Sequence, residues 1–455
     1  MRRAGSPWMI YVFGALGGLN WGYDTGVISA ALVYLRRDFA LSSWSEGGIV
    51  TALAVGAVLG AALGGRLSDR YGRRAVLILT AALFTLAPVG MALSPTTEVL
   101  FGFRLMVGLG TGLAAVVLPV YLSEMAPARI RGRVTAFYVL AIVVGQFLGF
   151  LIGVAFAPVE SWRWMLGLSV VPSLLFALGL LAVRETPRWL MRQGREVEAR
   201  QLLLRDRTPA EAQGELEEIR TVQQQEDHDD VRGLRALAQP WVLSILLVGF
   251  GLGVYQQIMG INAVLYYAPT TLQNVGFSDE GAIASNLIIG ALNILAVWVA
   301  ITYTDSWGRR PMLLVGAAGT SISLAVLAAV NLTMPAPDGF GPLGAITLAC
   351  LGLFIFLFQV SWGALVWVVL GEIFPLGVRA AAMGVVTAAH WIANGLVSLL
   401  FPSLLAAFGV GWVFAGFALI CATAFGFTWA KVPETKERTL EQIERRFRSR
   451  RRAPA

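Results

Sequence analysis

Histidine and cysteine are nearly missing from this chain, with two of each in 455 residues. His228 falls in a polar stretch and His390 in an apolar one, so His-based catalysis has little to work with. Cys350 and Cys421 both lie in long apolar segments, which removes a disulfide framework and a zinc site from consideration. Charge is scarce as well: 14% Asp, Glu, Lys and Arg stands against 56% hydrophobic residues and a mean hydropathy of +0.68. Soluble domains carry about 25% charged residues, so a soluble globule is excluded. No nucleophile–base pair and no metal-ligating cluster is visible, which makes an enzyme the least favoured class.

Long apolar runs take their place. Twelve segments can cross a bilayer, over about 8–35, 47–66, 75–94, 99–122, 133–155, 163–183, 240–267, 281–304, 312–332, 344–370, 378–402 and 410–431. The pattern predicts an all-α membrane protein. The first run is too long for a signal peptide, holds Asp24 and lacks a cleavage site. With twelve spans both ends share a side. All Lys and Arg fall on it except Arg36, Arg37 and Arg163 in opposite loops and Arg104 inside a span, so both termini are expected in the cytoplasm. The net charge of +7 then reports topology and contact with anionic lipid, and nucleic acid is not expected as a partner.

Residues 184–238 break the apolar pattern, and helical spacing over 196–225 predicts short amphipathic helices. The expected division is a first six-helix bundle (1–183), cytoplasmic linker helices (184–238), a second bundle (239–432) and a cytoplasmic tail (433–455) lying on inner-leaflet lipid.

The stretch Gln256-Gln257-Ile258-Met259-Gly260-Ile261-Asn262 sits inside a spanning run yet carries three carboxamides. Amides in hydrocarbon must meet protein, water or ligand. On a straight helix, at about 100° per residue, the three would point apart, so a break at Gly260 is expected to let them converge. Carboxamides donate and accept, which suits a neutral polyhydroxylated ligand; interhelical amide contacts are the alternative use. Asp24 is a carboxylate at membrane depth, hence a functional candidate. Arg104 is the other charge well inside a span, and Gly108 and Gly112 on its face would let a neighbouring helix come close. An Asp24–Arg104 pair is therefore expected, with Asp24 able to load and release a proton when its partner moves. Its alternative is a packing hydrogen bond. Gly145, Gly149 and Gly153 form another small-residue face, and Asn286 and Asn293 share one side of their helix. Thr387, His390 and Asn394 make a polar stripe, in which His390 is either a neutral hydrogen-bonder or a pH-sensitive group.

Two motifs occur once in each half, in the same order. Asp69-Arg70-Tyr71-Gly72-Arg73-Arg74 returns as Asp305-Ser306-Trp307-Gly308-Arg309-Arg310. Glu124-Met125-Ala126-Pro127 with Arg131 returns as Glu372-Ile373-Phe374-Pro375 with Arg379. The repetition argues for a duplicated six-span unit.

These loops, with Pro187-Arg188-Trp189-Leu190, the Gln256–Tyr267 stretch and Pro433-Glu434-Thr435-Lys436, resemble the sugar porter branch of the major facilitator superfamily over essentially the whole chain. Bacterial sugar–proton symporters and animal glucose facilitators share the pattern. The resemblance implies twelve transmembrane helices in two pseudo-symmetric six-helix bundles. It assigns Glu124, Arg131, Glu372, Arg379, Asp69, Arg70, Arg74, Asp305, Arg309 and Arg310 to salt bridges that close a cytoplasmic gate, and Tyr266 and Tyr267 to an outer gate. It implies sugar contacts from Gln146, Gln256, Gln257, Asn262, Asn293, Trp367, His390 and Asn394, with Trp21 helping to occlude the ligand. An indole such as Trp367 stacks well on the apolar face of a sugar ring. Ala364-Leu365-Val366 lacks the proline that usually follows Gly363, so Gly363 itself is expected to bend that helix.

The reading that follows is proton-coupled symport of a hexose or pentose by alternating access across a bacterial inner membrane. It needs no cofactor or metal beyond the proton gradient, and its expected partners are sugar, protons and lipid, with the chain a monomer. A facilitative uniporter and a membrane sugar sensor are the alternatives. Asp24 favours symport over the first, and the short tail after Pro433 speaks against the second. The choice of sugar depends on packing that the sequence leaves open.

Overall fold

The computed structural model describes residues 7–126, 130–205, 207–228, 237, 239–335 and 339–436. Among these the secondary structure is helical throughout. The first half runs α1 (Pro7–Asp38), α2 (Ser43–Tyr71), α3 (Arg73–Ala92), α4 (Thr97–Met125) and α5 (Arg131–Phe156). Its sixth span is split into α6 (Trp162–Gly167) and α7 (Val170–Ala182). The amphipathic segment gives α8 (Pro187–Arg192), α9 (Glu196–Leu203) and α10 (Pro209–His228). They share a small apolar core of Leu190, Ala199, Leu203, Leu216 and Ile219, separate from the main one.

The second half begins with α11 (Pro240–Ile258) and α12 (Ile261–Gln273), broken where Gly260 adopts a left-handed φ of 95°. This is the break expected from the sequence. Then follow α13 (Asp279–Trp307), α14 (Arg309–Thr333) and α15 (Pro342–Phe358). A π-helical turn, Gln359–Gly363, joins α15 to α16 (Ala364–Ile373). The last element, α17 (Leu376–Lys431), holds two spans joined at Gly409, whose φ of 74° and ψ of 171° break the helix.

Ten described helices are long and apolar enough to cross a membrane. Dividing the longest at Gly409 gives eleven, and α1 supplies the twelfth expected span. It falls outside the ten because the polar run Asn20–Thr25 lowers its hydropathy. The helix that reads least like a membrane span is therefore the one carrying Asp24.

Glycine seams set how the helices pack. A Cβ on Gly26 would lie 2.2 Å from the Gln146 carbonyl oxygen, and one on Gly145 would lie 2.1 Å from that of Leu19, so α1 and α5 touch backbone to backbone. The α2–α4 seam is equally tight: a Cβ on Gly108 would meet the Leu53 carbonyl at 2.1 Å, and one on Gly112 that of Ala57 at 2.2 Å. Without a hydrophobic drive between helices in lipid, such close approach is what dispersion and packing require. The Gly145–Gly153 face thus packs on α1, and the Gly108–Gly112 face on α2.

The internal duplication is visible in the backbone. Gly72 and Gly308, at the same place in the two motif loops, have φ/ψ of 94°/158° and 88°/155°. Contacts between the halves lie toward the face opposite those loops. Arg37 pairs with Asp279, Thr51 donates to the Gly395 carbonyl at 3.0 Å, and Asn286 donates to Ser29 at 3.0 Å.

Candidate functional site

Asp24 and Arg104 meet in the interior. One guanidinium nitrogen of Arg104 donates to both Asp24 oxygens, at 2.7 and 2.8 Å, and its Nε reaches the Ile49 carbonyl at 3.4 Å. Both side chains are buried, so the pair ties α1 to α4 in a medium where an unpaired charge is expensive.

The amides converge as well. The turn at Gly260 brings Asn262 back onto α11, where it donates to Gln257 Oε1 at 2.6 Å. Asn394 donates to the same oxygen at 3.1 Å, and the Gln257 amide nitrogen lies 3.3 Å from both ring nitrogens of His390. Gln256 turns the other way and donates to the Trp362 carbonyl at 2.9 Å, satisfying backbone exposed by the π turn. That turn also projects Gln359, which donates to Asn293 Oδ1 at 2.6 Å. Asn293 in turn donates to Gln146 Oε1 at 2.6 Å, across the halves. A Cβ at Gly363 would lie 1.9 Å from Gln359 Oε1 and would displace the end of that side chain. Gly363 itself keeps ordinary helical angles, φ −60° and ψ −50°, so the departure from α-helix is the π turn that ends at it and not a bend at the glycine.

Aromatic rings border these amides in a continuous arc. Trp367 and His390 have ring centroids 5.2 Å apart, His390 and Trp391 5.5 Å, and Trp391 and Trp21 5.8 Å, the last contact crossing between halves. Two buried amide atoms in the network, Gln146 Nε2 and Gln256 Oε1, have no hydrogen-bond partner among the described residues. One is a donor and the other an acceptor, the pair that hydroxyl groups complete. Tyr266 and Tyr267 are buried on α12, with the Tyr267 hydroxyl donating to the Ser398 carbonyl at 2.9 Å.

On the motif face the pairing differs from the sequence expectation. Arg73 is the buried partner of Glu124, at 3.2 Å, and also reaches Asp69 at 3.2 Å. Arg70 instead lies over the Tyr71 ring, and Arg74 engages Glu185 through its backbone nitrogen. The correction has a physical cause: Arg73 opens α3 directly after Gly72, facing inward, whereas its basic neighbours face out. In the second half Arg309 pairs with Glu372 at 3.0 Å, while Arg310 donates to the Trp429 carbonyl at 2.7 Å. Arg379 donates to the Phe374 carbonyl at 3.0 Å. The side chains of Arg131 and Asp305 lie outside the described residues.

Sequence reasoning also passed over Glu185 and Glu434. Glu185 accepts from the backbone nitrogens of Arg73 and Arg74, and Glu434 from those of Arg309 and Arg310, at 2.9–3.4 Å. Each carboxylate caps a helix N-terminus, where four N–H groups lack partners. The signal was present in Arg184-Glu185-Thr186-Pro187 and Pro433-Glu434-Thr435-Lys436. Trp391, next to His390, was missed because it reads as an apolar residue.

Twelve spans in two matching halves around a polar centre define a carrier of the major facilitator type. The chain belongs to the sugar (and other) transporter family, which matches residues 10–447. It is 38% identical over 453 residues to the D-xylose transporter of Levilactobacillus brevis, covering 99% of this chain and 97% of that protein. The glucose transporter GlcP of Staphylococcus epidermidis is 37% identical, with 98% of each chain covered. Among solved structures, the xylose transporter XylE from E. coli, in a partially occluded inward-open conformation, matches with a TM-score of 0.83 at 31% identity over 95% of this chain and 99% of that one. A structure of the same protein, described as a proton:xylose symporter bound to 6-bromo-6-deoxy-D-glucose, matches with a TM-score of 0.78 over 97% of this chain and 99% of that one.

Proposed function

We propose that this chain carries a monosaccharide across the bacterial cytoplasmic membrane together with a proton, with the motif face and both termini cytoplasmic. Relatives named for D-xylose and glucose transport support the sugar class, and the proton:xylose symporter among the structural neighbours supports coupling. The observation that carries the coupling is the buried Asp24–Arg104 pair on the helix that also bears Trp21.

The mechanism follows from that geometry. A proton on Asp24 removes its charge and with it most of the attraction that ties α1 to α4. Helix α1 is free to shift, and because Gly22 and Gly26 pack directly on Ile142 and Gln146 of α5, its movement reaches a sugar contact. Sugar hydroxyls replace the amide-to-amide bonds around Gln257 and between Gln146 and Asn293. Closure on the outer side by Arg37–Asp279 and Thr51–Gly395 corresponds to the state in which the site opens to the cytoplasm. Deprotonation of Asp24 on that side restores the pair.

The test uses purified protein in liposomes and a panel of hexoses, pentoses and inositol. External alkalinisation on adding sugar is expected, and Asp24→Asn should abolish it while leaving sugar exchange. Equilibrating flux without a proton signal would make the protein a uniporter.

A further inference from the structure

A cavity of about 570 Å³ lies on the side opposite the motif loops, away from the amide cluster. Tyr267, which the family resemblance assigns to an outer gate, forms part of its wall. Its size is within the range of about 300–1,000 Å³ typical of small-molecule sites. Part of the lining is polar, with Arg36, Ser43, Glu46, Thr270, Asn274 and Asn331. Other lining residues, including Leu343, Leu405 and Phe408, are apolar.

Glu46 is the unusual member. Its side chain is only 3% exposed, one oxygen pairs with Arg36 at 3.3 Å, and the other, Oε1, has no hydrogen-bond partner among the described residues. A buried carboxylate with an open acceptor position is costly unless something donates to it. Neither the pair with Asp24 nor the amide network uses it. Arg36 was set apart in the sequence as a cation on the wrong side of the membrane, and here it acquires a local partner.

We propose that this cavity is an outer sugar subsite, in which Glu46 accepts from vicinal hydroxyls, Arg36 and the two asparagines complete the polar edge, and the apolar lining residues cover the ring face. A pyranose has this same division into a hydroxylated rim and apolar faces, and ionised planar groups make the stronger hydrogen bonds to it. The subsite holds sugar outside Tyr267 while the central site faces the cytoplasm. The proposal rests on the sugar-transport reading.

The test is protection from labelling. Asn274 is exposed, and the native Cys350 and Cys421 are buried, so Asn274→Cys gives a reporter at the cavity against a quiet background. A membrane-impermeant thiol reagent is applied to liposomes carrying the Gln257→Ala background, in which the central site is disabled. D-xylose or D-glucose at about 10 mM should slow labelling about ten-fold if the subsite binds at roughly 1 mM, by the factor 1 + [L]/Kd. Adding Glu46→Gln should remove the protection, and Glu46→Asp should restore part of it. Leu405→Trp, which fills the cavity from its apolar lining, should remove it with Glu46 intact.

Protection that disappears with Gln257→Ala alone overturns the proposal, because it would report a conformational change driven from the centre. Protection that survives Glu46→Gln overturns it too, as does labelling that no sugar slows, the result expected if lipid fills the cavity. Wild-type uptake in the liposome assay separates this failure from failure of the sugar reading: uptake present without protection sinks only the subsite.

Discussion

Asn293 donates to Gln146 across 2.6 Å, and this single bond runs from one six-helix half to the other. Gln359, held out by the π turn, fixes the far side of Asn293 at 2.6 Å. On the proposed function, a sugar entering here breaks the cross-half bond and replaces both of its ends. Asn293→Ala should therefore weaken sugar binding by about 1–3 kcal/mol, a roughly five- to 150-fold rise in KM, because the sugar loses the amide that its hydroxyls would engage in place of Gln146. Counterflow in liposomes measures it, and an unchanged KM would remove Asn293 from the site.

On the motif face the buried partner of Glu124 is Arg73, with a side chain only 6% exposed. Removing one member of a buried ion pair leaves the other uncompensated, at a cost of about 3–5 kcal/mol. Arg73→Ala should therefore lower the unfolding temperature strongly in detergent, whereas Arg70→Ala and Arg74→Ala should change it little. Equal effects from all three would mean that the Arg73–Glu124 contact carries no special weight.

Much of this arrangement was legible in the sequence. Asp24 and Arg104 are rare charges inside apolar runs, so each had few partners to choose from. Gly260 lies between amides that a straight helix would disperse, and the duplicated loops announced the two halves. Arg73 was not legible, because three basic residues within five positions look alike until the turn at Gly72 decides which one faces inward. Trp391 was hidden for the opposite reason: a tryptophan in an apolar run carries no local mark of lying on the arc of rings around the amides. The π turn at Gln359–Gly363 was equally concealed, since the group that satisfies its Trp362 carbonyl, the Gln256 amide, comes from another helix.

The Arg37–Asp279 pair spans the halves on the face opposite the motif loops, where both side chains are partly exposed. Such pairs contribute up to about 1 kcal/mol and weaken with salt. That is enough to shift a conformational equilibrium several-fold. Arg37→Gln should raise the outward-open population, read as faster labelling of a cysteine placed at Thr51 by an impermeant reagent. High salt should produce the same increase in the wild type and none in the variant. Salt sensitivity that persists in Arg37→Gln would assign the effect to other charges.

The α1–α5 seam links stability to sugar binding in a way that a single methyl group can test. A Cβ at Gly26 would sit 2.2 Å from the Gln146 carbonyl oxygen, and backbone on both sides leaves nothing flexible to yield. Gly26→Ala must push the two helices apart, carrying Asp24 on one and the Gln146 amide on the other. Overpacking of this kind typically costs about 1–3 kcal/mol. The variant should therefore unfold at lower temperature and also bind sugar more weakly, although neither residue 26 nor its new methyl group lies among the ligand contacts. Gly48→Ala and Gly65→Ala on α2 provide the comparison, because a Cβ at either position meets nothing within 4 Å. Both should match or exceed the wild type in stability, since alanine loses less conformational freedom in a helix. A Gly26→Ala protein as stable as these two, with unchanged sugar affinity, would show that the seam can relax without moving the site.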